Sequence, residues 1–225
     1  MTTAVHKRAQ EIHAEGLLAY REGKIPLFKG FPTTLNRRFI TALRFKENTA
    51  WSITKAIVLP LDRLEYELDV AFFLAQRDFP LHSTLMEGLT EEESPYLPHF
   101  YSLKRNSELL SLRSTLRGLE INYSNLVLDK SGNILLLAED IPDVIPASRK
   151  MLARLYREHR LAPLPIHDIL HITVGRVMQF PNENPAHIAE FLEEFGTIAK
   201  SIMRSGLPLV VSSETTGENS YEFLT

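Results

Sequence analysis

The sequence predicts an α+β fold with mainly antiparallel strands, on three observations. Short β-prone runs and amphipathic helical runs are interleaved without the regular strand–helix alternation of a parallel sheet. Two strand-like runs follow one another through a tight turn at Arg77-Asp78, and a second pair reads as a hairpin through a turn containing Ser131-Gly132-Asn133, the connection of antiparallel neighbours. No short-period repeat marks the chain as a solenoid or propeller. With 225 residues, 44% hydrophobic and 24% charged, the chain is long enough to bury a sizeable core as one domain or two intimate lobes.

Taken in order, residues 4–22 carry apolar positions at helical spacing and stop at Gly23 and Pro26, which reads as an amphipathic helix. Residues 24–34 (KIPLFKGFPTT) are a Pro/Gly loop, and residues 35–50 lean helical. The run 54–59 reads as a strand stopped by Pro60, followed by a short helix over 61–68 and strands over 70–76 and 79–86. Residues 90–118 are mostly helical, broken near Pro95 and Pro98, with an apolar stripe at Leu109, Leu112 and Leu116. Residues 120–128 and 133–138 form a hairpin, 144–161 an amphipathic helix, and 169–178 a strand. A helix over 185–205 has Pro in its first turn. Strands over 207–215 and 221–224 close the chain.

Two segments carry the chemistry: His82-Ser83-Thr84-Leu85 and His171-Ile172-Thr173-Val174. Each reads His-x-Thr followed by an apolar residue, inside a strand-like run. Side chains alternate along a strand, so His82 and Thr84 share a face, as do His171 and Thr173. With 8 histidines in the chain, chance supplies about 0.5 such units, so context adds the weight. Both lie in apolar stretches, both follow a helix and a Pro-containing turn, and they are 89 residues apart. If the two strands line one cleft, two imidazoles and two hydroxyls converge. One neutral imidazole can take a proton from an attacking water while a protonated one donates to the leaving oxygen. The hydroxyls can donate to phosphoryl oxygens as charge builds up. That apparatus suits a phosphate ester and requires neither a metal nor a nucleophilic side chain.

Composition narrows the setting. No run of about 18 apolar residues is present, and Met1–Gln10 is polar and lacks an apolar signal core. Cysteine is absent, which excludes disulfides, thiol nucleophiles and Cys-ligated zinc and leads to the expectation of a cytoplasmic protein. A net charge of −3 gives no basic footprint for long duplex nucleic acid, so a small nucleotide or an RNA 3′ end is the expected partner, with no membrane. The basic run Arg149, Lys150, Arg154, Arg157 and Arg160 reads as a solvated helix face. No signal for an oligomeric state is present.

HSTL and HITV resemble the two signature motifs of the two-histidine (2H) phosphoesterase superfamily, which includes the RNA 2′,3′-cyclic phosphodiesterases once called 2′-5′ RNA ligases. The extension HITVGRV and the hairpin over 126–137 are similar to that subgroup, whereas HSTLMEGL departs from the aromatic and glycine usual after the first motif. The resemblance covers roughly residues 52–215. It implies two pseudo-symmetric lobes whose sheets face a central cleft, helices outside, and no cofactor. Its expected activity is metal-independent hydrolysis of a 2′,3′-cyclic phosphate, with RNA ligation as the reverse reaction. Residues 1–50 would be a helical extension and 51–225 the bilobal domain. The loop of that extension, with Phe28 and Phe31, is a candidate to sit beside the cleft.

His82, Thr84, His171 and Thr173 are thus the catalytic candidates. Arg176 is a candidate phosphate clamp, although strict alternation turns it away from His171 unless Gly175 hosts a bulge. Tyr123 could stack on a base or simply pack. Ser83 points away from the site. His167 and His171 have a metal-like spacing, but Pro163 and Pro165 oppose the helix it would need, so no metal is expected. Two alternatives stay open: a two-histidine enzyme acting on 2′-5′-linked or cyclic oligonucleotides, and a module that binds a nucleotide or RNA end without turnover.

Overall fold

The computed structural model describes residues 4–29, 38–90, 102–164, 168–181, 184–212 and 216–219. In chain order the elements are α1 (Ala4–Arg21), β1 (Arg38–Leu43), α2 (Glu47–Ile53), α3 (Leu59–Glu67), β2 (Ala71–Leu74), β3 (Ser83–Thr90), α4 (Ser107–Leu116), β4 (Glu120–Leu128), β5 (Asn133–Ala138), α5 (Val144–Glu158), β6 (Leu161–Pro163), β7 (His171–Gln179), α6 (Pro185–Ser205), β8 (Leu207–Val210) and β9 (Thr216–Asn219). Every strand pairing among them is antiparallel, so the expected class holds. The break near Pro95 and Pro98, the edge strand over 221–224, and Phe31, His99 and His167 lie outside the described residues.

The sheet runs β8-β4-β5-β7-β3-β1-β9, with β2 also on β7 and β6 also on β3. It is one path rather than two separate sheets. Its two halves are joined between β3 and β7 by one residue pair, Ser83 with Ile172.

Three local readings need correction. Residues 35–50 contain β1, which is paired on both edges, by β3 and by β9; its neighbours, not its own spacing, make it a strand. The run 54–59 is helical. Ala50, Ile53, Ile57, Leu61 and Leu64 form one buried stripe that continues from α2 into α3. Pro60 is accommodated by a π-turn over Thr54–Val58, where the Leu59 N–H reaches the Thr54 carbonyl. The boundary at residue 50 also fails: β1 lies within the sheet, and Tyr20 and Ile25 belong to the same buried core as β4, β5 and β7. Residues 1–50 therefore include integral parts of the fold.

The hairpin and the last helix form as their sequences require. Asp129 accepts the Ser131 and Asn133 N–H groups at 2.8 Å each, and Gly132 takes a φ of 77° in the turn. In α6 the Asn184 side chain caps the His187 N–H and Gly206 ends the helix at φ 62°. On the back of β1 and β3, α5 is pinned where the Tyr156 hydroxyl meets Thr41 Oγ1 at 2.8 Å.

Helix α1 lies on the other side of the hairpin. Ala9 and Ile12 pack on Val127, Leu135, Leu137 and Ile169. Leu135 and Leu137 are the cross-strand partners of Thr173 and His171, and directly opposed residues share a face. Helix α1 thus covers the sheet face immediately beside the second motif. His6 and His13 face β4: His6 Nδ1 lies 3.2 Å from Asn125 Oδ1, and His13 Nδ1 accepts the Leu128 N–H at 3.2 Å. The helix comes so close that a Cβ on Gly16 would sit 2.0 Å from the Leu128 carbonyl oxygen. Gly16→Ala is expected to cost about 1–3 kcal/mol by overpacking, or roughly 2–4 °C of melting temperature per kcal/mol. An unchanged thermal melt would show that α1 is not seated this closely.

Candidate active site

The pairing of Ser83 with Ile172 decides the geometry of both motifs. In an antiparallel ladder it sets His82 across from Thr173 and Thr84 across from His171. Ser83 and Ile172 are fully buried, while His82, Thr84, His171 and Thr173 are all partly exposed on the opposite face. The four catalytic candidates therefore share one face at the middle of the sheet.

Both motif strands continue in the same way. Thr41 pairs with Met86 and Ala42 with Thr84, so Leu85 is an extra, bulged residue. Ile134 pairs with Gly175 and Leu135 with Thr173, so Val174 is another. The fourth residue of each motif is thus a β-bulge, which inverts the alternation beyond it. The order of buried and half-buried positions from 83 to 88 repeats from 172 to 177.

Arg176 gains its place from the second bulge. The inversion returns it to the face of His171 and Thr173, the outcome that Gly175 left open. Gly175 is closely packed as well: a Cβ there would meet a Leu74 methyl at 2.9 Å, so that side chain would have to shift. The guanidinium lies 5.1 Å from the centre of the Phe28 ring, which packs on Phe73 at 5.2 Å. The Phe28 N–H bonds the Val177 carbonyl at 2.7 Å, so this part of the 24–34 loop borders the site.

His82 has a defined tautomer. Its Nδ1 is 2.9 Å from the Pro80 carbonyl, which can only accept. The proton is therefore on Nδ1, and in the neutral ring Nε2 carries the lone pair. Burial pushes the imidazole pKa down from 6.5; the bond to Pro80 opposes this, and the charges of Arg44 and Arg176 add to the lowering. The turn before His82 is fixed by Arg77, which reaches Asp62 at 2.6 Å, Glu65 at 2.5 Å and Asp78 at 3.0 Å.

Sequence reading missed three residues. Arg44 follows β1, one step beyond the pair Leu43 and Ser83, and so sits across from His82; the signal is visible only once the partner strand is known. Ser83 turns away from the site as expected, but its hydroxyl donates to the His171 carbonyl at 2.7 Å and ties the motifs together from behind. Arg149 is buried rather than solvated. Its Nε donates to the Leu85 carbonyl at 3.2 Å and its Nη2 to the Ile169 carbonyl at 2.9 Å.

Tyr123 requires a correction. It is fully buried, with its ring edge-on to Phe45 at 5.9 Å, and no face remains for a base. Burial raises its pKa, while nearby Ser83 and Arg149 pull it back. Among the described residues its hydroxyl has no partner in good hydrogen-bonding geometry, so Ser83 is a neighbour rather than a well-formed bond.

Among the described residues no three imidazole or carboxylate side chains come together as a metal cluster, and no helix is long and apolar enough to cross a membrane. Compared with models of known protein families and with curated proteins, the chain finds no match.

Proposed function

We propose that the protein is a metal-independent phosphodiesterase of the two-histidine type, hydrolysing the 2′,3′-cyclic phosphate of a nucleotide or RNA 3′ end. The observation that carries this reading is the single pair Ser83 with Ile172, because it gathers His82, Thr84, His171 and Thr173 on one face. A pure binding module has no need of two imidazoles matched in this way.

The state of His82 suggests the division of labour. With Nε2 unprotonated and its pKa lowered, His82 is the base. It takes a proton as a water oxygen attacks phosphorus. The bond from phosphorus to one ribose oxygen breaks, and His171, protonated, supplies the proton that oxygen needs. Thr84, Thr173 and Arg176 face the phosphoryl oxygens, where charge accumulates. The two histidines end with exchanged protonation states, which solvent restores. Attack by a ribose hydroxyl in place of water is the ligation direction.

The test is hydrolysis of the four nucleoside 2′,3′-cyclic monophosphates in EDTA across pH. Turnover is expected, and it falls on the acid side with a midpoint below 6.5, since protonating His82 removes the base. Arg44→Ala removes a cation from beside the imidazole, so its acid midpoint moves upward. An acid limb that stays put in Arg44→Ala would refute the assignment of His82 as base. No turnover of any of the four would overturn the mononucleotide substrate in favour of 2′-5′-linked or cyclic oligonucleotides.

A further inference from the structure

The two halves of the sheet are held at their junction by very little ladder, one residue pair, yet the chemistry proposed above depends on the separation of two side chains that straddle it. We infer that Arg149 is a positioning residue that fixes the separation of His82 and His171 by binding the backbones of both motif strands from behind, assisted by Ser83.

The contacts are specific. Arg149 lies in the first half of α5, under the sheet and away from the site face. Leu85, whose carbonyl receives Nε, is the bulged residue directly after Thr84. Ile169, whose carbonyl receives Nη2, is two residues before His171. One planar guanidinium therefore spans from one motif strand to the approach of the other. Planarity matters: the fork fixes the angle between its donors as well as their distance, which a lysine ammonium cannot do. Burying a guanidinium is costly unless its donors are filled. Carbonyls at a bulge and at a strand entry are suitable partners, because the regular ladder is interrupted there. The Ser83 bond to the His171 carbonyl adds a third link across the junction.

The inference rests on the two-histidine reading for its catalytic consequence but not for its geometric one, and the test separates the two. On the full chain, the titrations of His82 and His171 are followed by NMR. The charged groups facing His82 are Arg44 after β1 and Arg176 on β7, and neither is altered. In the wild type, His82→Gln is expected to move the His171 midpoint, because two imidazolium charges at close range repel. In an Arg149→Lys background that shift is expected to fall by at least half. Ser83→Ala is expected to reduce it in the same direction by less, and gives a second reading if Arg149→Lys does not fold. With a cyclic nucleotide as substrate, kcat of Arg149→Lys is expected to fall about 10–100-fold, with KM changed no more than about twofold. A lower melting temperature with unchanged coupling and unchanged kcat would overturn the inference, leaving Arg149 a packing residue. If the wild type hydrolyses none of the substrates, the catalytic reading fails, while the coupling between the histidines still decides the role of Arg149.

Discussion

His82→Gln is expected to lower kcat for a 2′,3′-cyclic nucleotide by about 10²–10⁴-fold, and His171→Gln by a similar factor, with substrate binding largely kept. Glutamine keeps a polar side chain of similar reach but can neither take nor give a proton near neutral pH. The two losses are not expected to add, because acid and base act in one transition state. The double variant should therefore be little worse than the poorer single one. The assay is kcat in EDTA, with melting temperatures alongside to exclude unfolding. Retention of more than about a tenth of the wild-type rate by either single variant would sink the two-histidine mechanism. The prediction depends on the tautomer seen at His82, with Nδ1 committed to Pro80, and on the shared face of the two motifs.

Deletion of residues 1–50 is expected to abolish folding. The cut removes β1, which pairs with β3 and with β9, and strips the buried side chains of Tyr20, Ile25, Leu43 and Phe45 from the core. Loss of each such side chain costs about 2–5 kcal/mol, against a total stability of about 5–15 kcal/mol for a typical domain. The loss also uncovers the edge of β3 next to the first motif, an invitation to aggregation. A soluble fragment with a cooperative thermal melt would show instead that the region is dispensable. The segment had the look of an extension because the resemblance begins only near residue 52. Sequence similarity follows the motifs, and the strand that supports them carries no chemistry of its own.

The same distinction explains what else was legible. The four motif side chains could be assigned to one face because alternation is a local property of a strand, and their chemistry is in the residue types. The hairpin and α6 were legible because Asp129, Gly132, Asn184 and Pro185 act within their own neighbourhoods. Arg44 and Arg149 were not, since each matters through partners distant in the chain, at His82 and at the Leu85 and Ile169 carbonyls. Tyr123 could be weighed only between stacking and packing until its complete burial was seen. The run 54–59 misled because its β-branched residues and Pro60 carry a local strand signal, which the longer apolar stripe from Ala50 to Leu64 overrides.

The paired bulges at Leu85 and Val174 also set how this protein can vary. A substitution within either motif strand changes one side chain. An insertion or deletion between the motif histidine and Glu87, or between its counterpart and Arg176, changes the reading frame of the strand and turns every later side chain to the wrong face. Length changes are therefore tolerable in the connections between the two motif strands but not inside them. The six positions from each histidine onward behave as a word that can be respelled but not shortened.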